Sequence, residues 1–155
     1  MKTITHTDSA FIENIINSCD ICFVGVVTAT NSPYVIPMNF GYFDKTLYLH
    51  SSPEGRVIDC LNHNPNICVT FCQENKLVCQ NPEVACSYRM KSTSVIAFGK
   101  VSFVNDIEEK RNALNIIMKH YSDKNFNFGD PALKNVKIWT VSIESIGCKE
   151  FGAPH

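Results

Sequence analysis

Apolar residues along the chain fall into short blocks, and the blocks follow two rhythms. Behind Asp8 and Ser9, either of which can cap a helix, Phe11, Ile12, Ile15 and Ile16 recur at helical spacing. They predict a helix with one apolar face that ends near Ser18-Cys19-Asp20. Ile21 to Thr28 is short and rich in β-branched residues, which predicts a buried strand. Asn31-Ser32-Pro33 is a turn. Tyr34 to Phe43 reads as a second strand, in which Pro37 demands a bulge or an unpaired edge position. Asp44-Lys45 turns the chain into a third strand, Thr46 to His50. Closely spaced strands joined by tight turns indicate an antiparallel meander.

Helical rhythm returns briefly after His50. Ser52 suits an N-cap, Pro53 the first helical position and Glu54 the first turn. Val57, Ile58 and Leu61 supply the apolar face, and Asn62-His63-Asn64-Pro65 stops the helix. Strands are expected at Asn66 to Cys72, at about Leu77 to Arg89, and at Ser94 to Val104 with a bend or bulge at Gly99. Asp106 then caps the one long amphipathic helix. Ala113, Leu114, Ile117 and Met118 lie inside it, with Glu108, Glu109, Lys110 and Arg111 outside. Tyr121 to Pro131 is polar and turn-rich, and Val136 to Ile146 closes the sheet. Strands dominate and rarely alternate with helices, so the pattern fits a closed or half-open antiparallel barrel with flanking helices.

Composition narrows the function classes. The 155 residues suit one domain, 1–155, since two would each be poorly stabilised. Fourteen basic and fifteen acidic residues leave a net charge of −1, with no footprint for nucleic acid. No apolar run approaches the roughly 20 residues of a membrane span. The first residues lack the apolar core of a signal peptide, which suggests a cytoplasmic protein. Eight cysteines could form a disulfide framework, but most sit inside apolar runs such as Asn66 to Cys72. Reduced, buried thiols are the expectation. Cys19-x-x-Cys22 lacks the second ligand pair of a zinc site, and no metal is expected.

The strongest local chemistry is the turn from His50 through Ser51, Ser52, Pro53, Glu54 and Gly55 to Arg56. A helix start presents free N–H groups and partial positive charge. Gly55 admits an anion close to the backbone, and Arg56 can grip phosphate oxygens. A well-capped surface helix with a solvated arginine would look similar, so both readings stand. His50, at a strand end, is a structural residue or one facing a ligand. No Walker loop, dinucleotide glycine fingerprint, nucleophile elbow or metalloprotease helix is present. Any difficult chemistry would therefore come from a cofactor.

Three blocks in register carry a family likeness: Pro33 to Tyr42, Leu47 to Arg56 running on to Asn64-Pro65, and Ser94 to Val101 followed by Glu109-Lys110 and Ala113-Leu114. Through them the chain, from about residue 8 to 150, resembles the pyridoxamine 5'-phosphate oxidase-like FMN-binding split-barrel proteins. Within these it looks most like the nitroimidazole-resistance (Nim) branch. The resemblance implies a six-stranded split barrel working as a homodimer, with FMN between subunits. Val35, Ile36, Pro37, Met38 and Asn39 would line the isoalloxazine ring. Ser51, Ser52, Gly55 and Arg56 would hold the phosphate, with His50 nearer the ring. Ser94 and Val95 would approach from the third block. Trp139 would either cover the flavin from the partner subunit or fill the core. Related chains often carry a lysine after the arginine, where this one has Val57, and an aromatic residue at the position of Ser92. Lys91 could supply the missing phosphate contact. The implied activity is FMN-dependent reduction of a small acceptor, nitro compounds included, by a nicotinamide donor. The alternatives are a flavin- or ligand-binding protein without turnover and a cysteine-based sensor.

Overall fold

The computed structural model describes residues 2–153. Eight strands and four α-helices follow in the order β1 (Lys2–His6), α1 (Ser9–Asn17), β2 (Cys22–Val27), β3 (Pro33–Met38), β4 (Gly41–Phe43), β5 (Thr46–Ser51), α2 (Arg56–His63), β6 (Asn66–Cys79), β7 (Tyr88–Val104), α3 (Ile107–Tyr121), α4 (Asp130–Lys134) and β8 (Lys137–Ala153), with a 3-10 turn at Ala85–Ser87. Asp8 caps α1 as its position predicts, accepting from the Phe11 N–H at 2.7 Å, and Ile12, Ile15 and Ile16 are buried. Asp106 does the same for α3, accepting from the N–H groups of Glu108 and Glu109.

All strand pairs are antiparallel, in the order β3-β2-β6-β7-β8-β5-β4, with β1 added to the far end of β8. Inward residues of β2 (Val24, Val26), β5 (Leu47, Leu49), β6 (Val69, Phe71) and β8 (Trp139, Val141) share one core cluster. Since β2 and β5 are far apart in the sheet order, the sheet must curl around that core. Its two ends, β3 and β4, are consecutive in the chain but not paired with each other, which leaves the barrel split. The mainly antiparallel class holds, with eight strands where six were implied.

Several boundaries differ from the pattern reading. Tyr34 to Phe43 is two strands, because the chain breaks at Asn39-Phe40 and buries Phe40 completely. Pro37 sits on edge strand β3, where its missing N–H costs no ladder bond. No separate strand spans Leu77 to Arg89. Leu77 belongs to β6, which continues past an irregularity at Gln73/Lys76 with Glu74 at φ 57°, and Arg89 belongs to β7. Strand β8 runs on to Ala153 because its extension is paired on both sides, with β7 as far as Phe151 and with β1, which carries no helical or long apolar signal. The register of β7 on β8 slips at Phe98/Gly99 as foreseen. A Cβ at Gly99 would collide with the Ser142 carbonyl.

Lys110 was placed outside α3 but is only 9% exposed. Its ammonium donates to the carbonyls of Leu133 and Val136 at 2.9 and 2.8 Å. It thus satisfies the C-terminal end of α4, a helix too short to announce itself in sequence. The cysteines are also less uniformly buried than expected. Cys19, Cys22, Cys60 and Cys148 are buried and free, whereas Cys72, Cys79 and Cys86 are exposed and free. Cys72 faces outward on β6, Cys79 ends β6, and Cys86 lies in the 3-10 turn of the β6–β7 loop. No helix among the described residues is long and apolar enough to cross a membrane.

Candidate functional site

Helix α2 begins at Arg56, three residues later than the Ser52 cap would place it. Its N-cap is Gly55, at φ 129°, a conformation that residues with a Cβ avoid. Helix geometry leaves the N–H groups of Arg56, Val57 and Ile58 without an intrahelical acceptor, and no side chain caps them. Nothing lies within 4 Å of where a Cβ on Gly55 would stand. The helix thus starts with N–H donors that no side chain caps, the arrangement an anion favours.

Ser51 and Ser52 take different parts from those implied. The Ser51 hydroxyl donates to the Ser52 carbonyl at 2.7 Å and accepts from the indole N–H of Trp139 at 3.2 Å. Its proton is therefore already used inside the turn. Ser52 is exposed and caps nothing. Trp139 has no exposed surface, so it has no face to lay over a flavin. The reading of Trp139 as a flavin cover is corrected. It fills the core beside Leu49, its partner on β5, and ties down the start of the turn.

Arg56 leans across to β3, with its guanidinium 4.5 Å from the centre of the Tyr34 ring. Beside it opens a crevice of about 310 Å³, lined by Thr28, Thr30, Ser32, Arg56, Asp59 and Cys60 among others. The Thr28 and Thr30 hydroxyls lie 3.1 Å apart, and the Ser32 N–H donates to Thr28 Oγ1 at 3.0 Å. Of these, only Ser32 lies in the turn expected from the sequence, and Thr28 ends the expected strand. What they face depends on α2 packing against β2, which no local pattern reveals. Asp59 also lines this crevice, and its carboxylate would repel an anion placed beside it.

Directly along the chain from Ser32, a second crevice of about 330 Å³ runs over the outer face of the sheet. Gly25, Pro33, Val35, Cys68 and Phe98 line it, with Asn64 and Asn66 at one end. Val35, Gly25, Cys68 and Phe98 are successive lateral neighbours across β3, β2, β6 and β7. Val35 is 60% and Phe98 52% exposed, a large apolar surface to leave open. Any side chain at Gly25 would grow into this trough. Of the residues on and just after β3 expected to line a ring, Val35, Pro37 and Asn39 are exposed, while Ile36 and Met38 pack on the core. Ser94 lies on the same outer face as Ile96 and Phe98, but Val95 is fully buried and can offer only its backbone.

Val57 replaces the expected lysine because its side chain packs on the core. Lys91 does not take over. It pairs with Glu74 at 3.3 Å on the distal part of the hairpin.

His50 is half-buried on β5, opposite Ile138, and lines neither crevice. Burial holds its pKa below the ordinary 6.5, which favours neutral imidazole. Below pH 6.5 the unfolded chain then binds more protons than the native one, so stability falls as pH drops. Urea midpoints measured at about pH 7.5 and about pH 5.5 should differ less in His50→Gln than in the unmodified protein. An equal difference would show that His50 does not contribute.

The comparisons with known proteins agree with this geometry. A family model described as pyridoxamine 5'-phosphate oxidase matches residues 8–148. The chain is 49% identical to a candidate 5-nitroimidazole antibiotic resistance protein from Bacteroides thetaiotaomicron, covering 96% of this chain and 87% of that one at a TM-score of 0.87. Two more distant structures share the fold. The flavocytochrome Anf3 from Azotobacter vinelandii has 21% identity, 97% and 70% coverage and a TM-score of 0.83. An FAD- and heme-binding protein from Mycobacterium smegmatis has 15% identity, 97% and 75% coverage and a TM-score of 0.85. No curated protein matches significantly. The chain belongs to the pyridoxamine 5'-phosphate oxidase-like family, a flavin-binding split-barrel family, and within it is similar to the nitroimidazole-resistance branch.

Proposed function

We propose that this protein binds FMN, with the phosphate at the start of α2 and the isoalloxazine ring in the trough beside β3. One observation carries the reading: a bare helix N-terminus with an arginine adjoins an apolar trough through the continuous segment Thr28 to Val35. A flavin mononucleotide has the same polarity, anionic at one end and flat and apolar at the other. Edge strand β3 also leaves one side of its backbone unpaired, free to hydrogen-bond the ring. The exposed outer face bearing Phe23, Val35, Ile96 and Phe98 suits a second copy of the chain, which would enclose the ring in a homodimer.

Bound FMN would supply electron transfer from a nicotinamide donor to a small acceptor, nitro compounds included. The chain's own residues would bind and orient. Arg56 would neutralise the phosphate, Tyr34 would hold Arg56 in place, and Phe98 with Val35 would exclude water from the ring. A second reading, binding without turnover, is favoured by the trough's lining. Its one titratable group is Cys68, whose thiol burial pushes up and so keeps protonated. Reduction of the bound flavin by NADH or NADPH separates the two readings. A protein that is colourless as purified and ignores added FMN would overturn both.

Arg56→Ala should weaken FMN binding by about 1.5–3 kcal/mol, the range for a hydrogen bond to a charged group. Quenching of flavin fluorescence on titration measures this. An unchanged affinity would place the phosphate elsewhere.

A further inference from the structure

A third crevice, of about 270 Å³, shares no lining residue with the two just described. It lies between α1, the β4–β5 hairpin and the middle of β8. Ile12, Ile143 and Ile146 form an apolar floor, and Glu13, Tyr42, Lys45 and Glu144 surround it. Three chain-distant elements thus bring polar groups to one apolar hollow, the general anatomy of a small-molecule site.

The wall on β8 is specially built. Phe98 pairs with Ser145 and Gly99 with Ile143, so Glu144 is the extra residue of a bulge and has no partner on β7. Bulges re-aim side chains, and this one turns Glu144 to the crevice. Gly99 makes the bulge possible, since any Cβ there would strike the Ser142 carbonyl. Ile146, two residues beyond Glu144 and 39% exposed, adds an apolar side chain to the hollow. Opposite, burial and then the Glu13 carboxylate raise the pKa of Tyr42, which keeps its hydroxyl protonated as a donor.

We propose that this crevice binds a small apolar amine. The two carboxylates, Glu13 and Glu144, would take the ammonium from opposite sides, and the isoleucine floor would take the hydrocarbon. Lys45 is the one cation lining the hollow. It leaves the carboxylates in excess, which selects against an anionic ligand of the same shape.

Phenethylamine, phenylacetate and phenethyl alcohol distinguish charge from shape. Each is titrated calorimetrically into the full chain, with and without added FMN. The amine should bind in both states, and the other two at least about tenfold more weakly. The double variant Glu13→Gln with Glu144→Gln should lose the preference for the amine. Because Glu144 is exposed on its bulge, Glu144→Gln alone serves if the double variant is unstable, and should weaken the amine several-fold. The proposal is overturned if the amine does not bind, if all three bind alike, or if the carboxamide variants keep the original affinity. Binding seen only with FMN present would place the amine on the flavin and overturn it too. The FMN arm reports separately on the flavin reading.

Discussion

Gly41→Ala is expected to lower the unfolding free energy by about 3 kcal/mol, the upper part of the range for an overpacked site. Gly41 opens β4, and α3 lies across it. A Cβ there would stand 2.7 Å from Ile117 Cα, 2.8 Å from Ile117 N and 2.9 Å from Ile116 C. All three are backbone atoms in the middle of a helix, so none can swing aside as a side-chain tip would. Either α3 moves off the sheet or β4 leaves β5. Each choice disturbs the second core cluster of Ala113, Leu114, Ile117, Leu133 and Ile138. A loss of that size corresponds to a thermal midpoint lower by about 6–12 °C. Gly147→Ala is the control, because nothing lies within 4 Å of its Cβ position and its φ is not positive. It should change stability by less than about 0.5 kcal/mol. Equal effects at the two glycines would show that intrinsic strand propensity, not contact with α3, sets the cost at Gly41.

Gly41 also shows where sequence reading stops. The rhythm of apolar residues was enough to find α1, β2, β5 and α3, because each buries a face of its own, and the two helices are also capped locally by Asp8 and Asp106. It could not show that the strand beginning at Tyr34 breaks at Phe40. That break is imposed by α3, whose Tyr121 hydroxyl accepts the Phe40 N–H at 3.0 Å from 81 residues away. Lys110 is the same lesson in reverse. Its charge placed it outside, and only the carbonyls of α4 explain why it goes in. At the candidate site, a helix start near Arg56 was legible because it is a local event, although the cap falls at Gly55 and not at Ser52. The partners of Arg56 were not. Tyr34 and the hydroxyls of Thr28 to Ser32 reach it only because α2 packs on β2. The trough was similarly hidden, since Gly25, Val35, Cys68 and Phe98 come from four strands aligned by register alone.

Trp139→Ala should be the most damaging substitution, with a loss of about 3–5 kcal/mol, as for other large aromatic deletions from cores. The indole has no exposed surface and sits in the cluster that joins β2, β5, β6 and β8. The strands around it are fixed by their ladders, so the space it leaves cannot collapse fully. Trp139→Phe separates packing from hydrogen bonding. It keeps an aromatic ring in the core but removes the N–H that Ser51 accepts. Its stability cost should be smaller, about 1–2 kcal/mol for a lost hydrogen bond and reduced volume. The Ser51 hydroxyl would still bond the Ser52 carbonyl and its backbone would stay paired with Lys137, but the side chain would lose its tie to the barrel wall. The turn it begins leads through Gly55 to Arg56, so FMN affinity in Trp139→Phe should fall while most of the stability remains. Ser51→Ala should reproduce that fall, and the double variant should add little to either, because all three remove one contact. Independent, additive losses of affinity would separate Trp139 from the phosphate turn and leave it a core residue alone.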